Sequence, residues 1–235
     1  RRCIEGYNIG RDAITGYHYF YLNYSPIIKV AYSGDVEVGT GQIQGSRIEG
    51  FPDFWDSDYD YFWYLEEAEK SGSHATVLKT RGRGYSFKGG SMLCRNFFLI
   101  PRSKSYAVAS EMEFLTKDGL LSKAWENMAF VNDHTAWYKA REKKDTDVHK
   151  RASYIDSSSG RVVEKGYLSE IIGISLKDKP NKIRGKRGKL VLFEEGGQFP
   201  GLLQSWQITM PGMQAGRVTF GLMCAYGCVC EGTKV

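Results

Sequence analysis

The sequence lacks several features that would place it in a specialised class. No uninterrupted apolar run approaches the ~20 residues that a membrane span requires. The five cysteines are odd in number and scattered, so they do not form a secreted disulfide framework, and the four histidines have no metal-ligand spacing. No basic-then-apolar leader is visible after Arg1. We therefore expect a protein of a reducing cytoplasm that binds no membrane.

The composition is that of an ordinary globular protein. The 235 residues suffice for one large domain with its own core, without help from metals or disulfides. The net charge of +5 is unevenly distributed, because seven lysines and arginines lie between residues 177 and 189. A polyanionic partner is one interpretation of this cluster, and a solvated basic loop is the other.

Hydrophobic patterns divide the chain into a small N-terminal lobe at 1–50 and a core at 51–235, with a polar insertion at about 133–165. Aromatic and alternating runs predict strands at 17–24 and 27–32, and a helix follows within 51–70. Further strands are predicted at 74–80, 106–110, 170–176, 190–193 and 218–226, with weak ones at 152–155 and 161–163. Helices are predicted at 87–98 and 111–131. Alternating strands and helices indicate an α/β fold with a mainly parallel sheet flanked by helices.

A glycine-rich loop, KTRGRGYSFK, lies between a predicted strand and a predicted helix. Backbone N–H groups in such a loop can surround phosphates, and the helix N-terminus adds partial positive charge. The predicted nucleotide-binding residues are Lys79, Thr80, Arg81, Gly82, Arg83, Gly84, Tyr85, Ser86, Phe87 and Lys88. Tyr85 stands where the usual motif has lysine. Nearby cations, with Arg83 or Lys88 favoured, could replace that charge, while a glycine-rich connector without a ligand is the alternative.

Two adjacent carboxylates, Glu194 and Glu195, end the apolar strand in KLVLFEEGGQFP. Ligands of α/β proteins bind at the carboxyl ends of parallel strands, so these acids are expected near the glycine-rich loop. In an ATPase, one acid holds Mg²⁺ and the next activates the attacking water. We assign Glu194 to the metal side and Glu195 to catalysis, although an isolated pair of glutamates also suits a solvated turn.

Together these segments resemble the ATPase domain of the large terminase subunit, the DNA-packaging motor of tailed bacteriophages. The resemblance covers nearly the whole chain. It rests on ITGYHYFYLNY, FPDFWDSDYDYFWYLEEA, KTRGRGYSFKG as a variant Walker A motif, IRGKRGKLVLFEEGGQFP as Walker B, and TFGLMCAYG as the final strand. It implies a P-loop NTPase fold of the RecA-like (ASCE) type that uses ATP and Mg²⁺.

The resemblance also implies roles and partners. Ser86 would coordinate Mg²⁺, Glu194 would replace the usual Walker B aspartate, Glu195 would activate water, and a loop arginine, Arg83, would sense the γ-phosphate. Residues 51–58 would lie near adenine. The implied partners are double-stranded viral DNA, the portal protein, the small terminase subunit and further copies in a ring on the procapsid, in the host cytoplasm. The tail GCVCEGTKV lacks the family's coupling motif, and no nuclease domain follows.

Two other functions fit the same motifs. A helicase-like or recombination ATPase would share the loop and the paired acids, but it would need a second RecA-like lobe, which the sequence does not indicate. A non-hydrolysing binding or assembly module would keep the loop, with Tyr85 in place of the lysine, for structure alone. Nucleotide binding by the loop is the property that separates the enzymes from the module.

Overall fold

The computed structural model describes residues 1–10, 12–32, 45–158, 160–177 and 179–228. In chain order, the helices of these residues are α1 (Arg2–Glu5), α2 (Gly16–Tyr24), α3 (Asp56–Lys70), α4 (Tyr85–Leu99), α5 (Glu113–Thr116), α6 (Leu120–His134) and α7 (Leu202–Thr209). The strands are β1 (Tyr7–Ile9), β2 (Asp12–Ile14), β3 (Ile27–Tyr32), β4 (Gly45–Gly50), β5 (Ala75–Leu78), β6 (Lys104–Ala109), β7 (Lys144–Thr146), β8 (His149–Arg151), β9 (Tyr154–Asp156), β10 (Val163–Lys165), β11 (Glu170–Ser175), β12 (Leu190–Phe193), β13 (Gln214–Ala215), β14 (Val218–Thr219) and β15 (Leu222–Gly227). Short 3-10 turns occupy Pro180–Ile183, Gly196–Gln198 and Met210–Met213.

The central sheet has seven strands in the order β5-β15-β12-β6-β11-β8-β7. The five strands from β5 to β11 pair in parallel, and β8 and β7 continue the sheet in antiparallel pairing. All four residues of β12 are fully buried, as expected for a parallel strand that is covered on both faces. The predicted α/β fold with a mainly parallel sheet flanked by helices is confirmed, with strands β1 to β4 in its N-terminal part.

Two layers of helices and turns cover the sheet. Side chains alternate along β12, so Leu190 and Leu192 pack with α2, α3, α4 and α6, whereas Val191 and Phe193 pack against α7 and the 3-10 turns. Helix α4 lies very close to its neighbours, because a Cβ on Gly89 would come within 2.6 Å of the Tyr226 hydroxyl. This close approach brings the first turn of α4 to the carboxyl edge of the sheet.

The strand predicted at 17–24 is wrong, because these residues form helix α2. Thr15 caps the helix by accepting a hydrogen bond from the backbone N–H of His18 at 3.1 Å. Tyr17, Phe20 and Tyr21 are buried at helical spacing against the core. Aromatic composition favoured a strand, but packing onto α4 decides the conformation.

Three other predicted boundaries are corrected. The helix predicted at 111–131 is divided into α5 and α6 at Gly119, where a Cβ would lie 2.1 Å from the backbone oxygen of Phe114. The final strand begins only at Leu222, because 214–219 form the β13–β14 hairpin. The weak strands shift to β9 and β10, and part of the polar insertion, β7 and β8, extends the main sheet. Every helix in the described ranges is too short or too polar to cross a bilayer.

Candidate active site

A cavity of about 930 Å³ opens at the carboxyl edge of the sheet, where the glycine-rich loop joins β5 to α4. Lys79 and every residue from 81 to 87 line it, and so does Glu195 at the end of β12. Phe114 and Lys123, from α5 and α6, form the opposite wall. The topology therefore brings the predicted loop and the predicted catalytic acid into one cavity.

The loop has the backbone that its glycines allow. Gly82 and Gly84 have φ angles of +76° and +67°, a left-handed conformation that side chains with a Cβ rarely adopt. Gly84 directly precedes the fifteen-residue helix α4, whose first N–H groups have no partner within the helix. The loop thus presents unpaired donors and the positive end of a helix dipole to the cavity, which suits an anionic ligand.

Ser86 and Glu194 meet where the loop faces the sheet. The Ser86 hydroxyl donates a hydrogen bond to Glu194 Oε1 at 2.7 Å, across a sequence separation of 108 residues. Glu194 is only 3% exposed, and burial raises the pKa of its carboxyl above the ordinary value. Its Oε2 is buried without a hydrogen-bond partner of regular geometry among the described residues, while the nearby hydroxyls of Tyr226 and Ser86 oppose the rise in the pKa of Glu194.

This pair of oxygen ligands fits a magnesium ion. Mg²⁺ prefers oxygen ligands and is usually held by one or two carboxylates together with phosphate oxygens and water. The buried Glu194 Oε2 is such an unused ligand atom, and the Ser86 hydroxyl beside it is a second. Clusters of three or more His, Cys, Asp or Glu side chains suited to a metal are absent from the described residues.

Glu195 occupies a strained position next to Glu194. Its φ of +49° is left-handed, which is uncommon for a residue with a side chain and concentrates at functional sites. Its Oε1 accepts a hydrogen bond from Lys79 Nζ at 3.0 Å, and the Cys228 thiol lies 3.9 Å from Oε2. The next turn packs directly on the end of β15, since a Cβ on Gly197 would lie 1.9 Å from the Cys228 backbone oxygen. The ends of β5, β12 and β15 together fix this carboxylate.

The other predicted loop residues have different surroundings. Lys88 points away from the cavity and forms a buried ion pair with Asp58, with Nζ 2.5 Å from Oδ1. Burial lowers the pKa of Lys88, and its hydrogen bond to Asp58 opposes that shift. Tyr85 packs edge-on against Tyr61, with ring centroids 5.0 Å apart. Arg81 and Arg83 line the cavity, whereas Thr80 does not. The loop cations at the cavity are therefore Lys79, Arg81 and Arg83 rather than Lys88.

Sequence reasoning missed several residues of this region. Asp58 occupies the buried stripe of α3 with Phe62 and Leu65, and an acid on such a stripe indicates a buried partner. The placement of Cys228 beside Glu195 had no signal in the sequence, because it depends on the register of β15. Residues 51–58, predicted near adenine, do not line the cavity, and Phe51 packs on Phe130 instead.

Comparisons with known proteins find similarity only among solved structures. No protein-family model and no curated protein matches the chain. The large terminase ATPase domain of Thermus phage P74-26 has a TM-score of 0.49 and 16% identity, over 73% of this chain and 68% of that one. A mutant of that domain has a TM-score of 0.48 and 17% identity, over 65% of this chain and 58% of that one.

Two longer terminases are also similar. The HK97 bacteriophage large terminase has a TM-score of 0.48 and 11% identity, over 89% of this chain and 36% of that one. A large terminase from a thermophilic bacteriophage, solved in complex with ADP, has a TM-score of 0.45 and 10% identity, over 71% and 36%. The chain thus spans about a third of the length of these two proteins. These four solved structures are phage large terminases or their ATPase domains.

Proposed function

We propose that the chain is a nucleotide hydrolase domain that uses ATP to drive double-stranded viral DNA into a procapsid. The observation that supports this most directly is the 2.7 Å hydrogen bond from Ser86 to Glu194, next to Glu195, where Ser86 and Glu195 line the cavity at the glycine-rich loop. Phosphoryl transfer to water requires at least a phosphate-binding loop, a ligand for Mg²⁺ and a second acid. They come from segments that lie far apart in sequence.

Each residue then has a stated role. The loop backbone and the Lys79 and Arg83 side chains hold the phosphates, and Ser86 and Glu194 hold the metal ion. Mg²⁺, when bound, neutralises charge on the phosphate oxygens. Glu195 orients the attacking water and accepts its proton as the water oxygen bonds to the γ-phosphorus and the bond to the bridging oxygen of ADP breaks. The exposed quarter of the Glu195 side chain is consistent with access to that water.

Lys79 links nucleotide binding to the activation of Glu195. In the structure its ammonium contacts Glu195, and both side chains line the cavity. An incoming phosphate competes for the same ammonium, because charge-assisted hydrogen bonds to phosphate are among the strongest that a lysine makes. We infer that nucleotide binding draws Lys79 from Glu195 and releases the carboxylate for proton transfer.

The motor part of the proposal adds partners: duplex DNA, the portal protein, the small terminase subunit and further copies of the chain in a ring in the host cytoplasm. It rests on the motifs and on their resemblance to the terminase family. A helicase-like or recombination ATPase would use the same catalytic residues. Stimulation of hydrolysis by portal-bearing procapsids, and not by DNA alone, is the property that favours the packaging motor over those enzymes.

Nucleotide binding and hydrolysis are tested on the purified chain with two variants. Thermal melting with and without Mg²⁺-ATPγS is expected to show a ligand-dependent rise in Tm that Ser86→Ala reduces. Glu195→Gln is expected to retain that rise and to lose about 10²–10⁴-fold in hydrolysis rate. Absence of the rise in the parent chain would instead favour a non-hydrolysing module, and full hydrolysis by Glu195→Gln would refute its catalytic role.

A further inference from the structure

The basic segment, residues 177–189, carries six exposed cations that no carboxylate of the described residues pairs: Lys177, Lys179, Lys182, Arg184, Lys186 and Arg187. Lys189 is the exception, since it forms an ion pair with Glu69. Asp178 is the acid of this segment and lies outside the described residues. Like charges crowded on one surface raise the potential there and attract a polyanion.

A second basic region provides the contrast. Five of the seven cations at 141–165 form ion pairs with carboxylates close to them: Arg141 and Lys150 with Asp145, Lys143 and Arg151 with Glu164, and Lys165 with Asp156. Most of the positive charge of that region is therefore balanced within the fold. The basic segment has a higher density of cations, and its six exposed ones have no carboxylate partner among the described residues, although Lys182 donates to the Ser175 backbone oxygen and Arg184 to the Asn181 side chain.

The basic segment is also anchored to the fold over its described residues. Ile183 is fully buried in the hydrophobic cluster between the sheet and α7, and it anchors the turn Pro180–Ile183. The backbone of Lys189 donates to the oxygen of Lys104 at 2.7 Å, which fixes the end of the segment to β6. Near its middle, a Cβ on Gly212 would lie 2.1 Å from the Lys186 oxygen, so the backbone rests directly on the turn before β13. Cations on a fixed backbone lose less conformational freedom on binding than those of a mobile tail.

Positive charge continues beyond the segment. Arg187 and Lys189 line a cavity of about 280 Å³ together with Arg102 and Lys104, which precede and begin β6. Lys104 and Lys189 pair with Glu170 and Glu69, whereas Arg102 and Arg187 have no carboxylate partner among the described residues. The cavity lies at the amino edge of the sheet, because β6 and β12 are adjacent parallel strands that both start there. The cationic surface is thus opposite the edge that carries the glycine-rich loop.

We propose that the basic segment binds the phosphate backbone of duplex DNA. The choice of DNA among polyanions rests on the proposed function, while the surface itself rests on the unpaired cations. Single-stranded nucleic acid requires exposed aromatic rings for base stacking, and the segment has no aromatic residue. A membrane would require apolar side chains that insert between lipids, and the one large aliphatic residue, Ile183, is buried.

The test measures how tightly the full chain binds a labelled DNA duplex, by fluorescence anisotropy. The salt concentration is varied between about 50 and 200 mM, because binding to phosphates weakens steeply over this range. The variant is Lys182→Gln/Lys186→Gln/Arg187→Gln. The matched control, Lys117→Gln/Lys143→Gln/Lys165→Gln, removes the same charge from exposed lysines that have carboxylate partners. We expect the variant to bind about tenfold or more weakly, and its salt slope to fall by about 0.9 for each phosphate that it no longer neutralises. The control should bind like the parent.

Additional measurements distinguish DNA backbone binding from the alternatives. The reduction in affinity should be equal for two duplexes of unrelated sequence, because phosphate contacts carry no sequence information. Equal affinities and slopes for the variant and the control would overturn the proposal, as would binding to phosphatidylserine vesicles without binding to duplex. The Mg²⁺-ATPγS melting shift is measured on the same proteins. Absence of that shift in the parent would refute the nucleotide site, and a salt-dependent duplex affinity that the variant lowers would still support the DNA surface.

Discussion

The first turn of α4 makes two buried polar contacts that differ in one respect. Toward the sheet, Ser86 reaches Glu194, whose second oxygen has no hydrogen-bond partner among the described residues and whose neighbour Glu195 lines the cavity. Toward α3, Lys88 reaches Asp58 in an ion pair that is closed off from solvent, with side chains 2% and 9% exposed. In the Ser86–Glu194 contact, Glu194 Oε2 stays available as a ligand atom. In the Lys88–Asp58 contact, the two opposite charges neutralise each other. Burial alone therefore does not identify a functional group, whereas a buried oxygen without a partner, next to an acid that lines a cavity, is a candidate ligand atom.

The largest effect is expected for the buried ion pair between Lys88 and Asp58. Lys88→Met leaves the Asp58 carboxylate buried without its cation, and breaking such a pair costs about 3–5 kcal/mol of unfolding free energy. Urea denaturation of the purified chain measures this loss. Lys88→Met/Asp58→Leu is the matched control, because it removes both charges and should recover most of the stability.

The same pair of variants tests the division of roles. Lys88 does not line the cavity, so the folded double variant should retain the Mg²⁺-ATPγS melting shift. A stable double variant without the shift would mean that Lys88 reaches the nucleotide after all. The comparison between the two sides of α4 would then fail.

Sequence patterns located much of this arrangement. Apolar runs bounded by glycine and charge identified β5, β11 and β12, and the rule that ligands bind at carboxyl strand ends placed Glu194 near the loop. They could not give the direction of Lys88, because a lysine near a glycine-rich loop suits either phosphate binding or burial. The outcome depends on Asp58, thirty residues upstream, and on how α3 packs beside α4. Helix α2 was missed for the same reason, since tertiary packing overrides the preference of its aromatic residues.

An intermediate effect is expected for two cations that line the cavity, Lys79 and Arg83. Lys79→Met should weaken Mg²⁺-ATPγS binding by about 1.5–3 kcal/mol, the range for hydrogen bonds to charged groups. Isothermal titration measures the change, with Lys88→Met/Asp58→Leu as the control for loss of a lysine near the loop. Arg83→Met supplies the second comparison, because Arg83 also lines the cavity. Unchanged affinity in both Lys79→Met and Arg83→Met would leave the loop backbone as the phosphate ligand and contradict the assignment of these side chains.

The last effect is confined to acid pH and concerns protonation of a buried histidine near the Lys88–Asp58 pair. His18 is fully buried, stacks between Phe54 and Phe62, and has neither ring nitrogen hydrogen-bonded among the described residues. Burial, together with the nearby charge of Lys88, lowers the pKa of His18 from 6.5 to about 4. The unfolded chain therefore binds a proton more readily than the folded protein, and the contribution of His18 to stability, full above pH 6.5, is lost as the pH falls toward 4. His18→Phe keeps a ring in the stack and removes the titration. Urea midpoints at several pH values should converge toward neutral pH and separate in favour of His18→Phe in acid, and parallel pH profiles would show that His18 does not resist protonation in the fold.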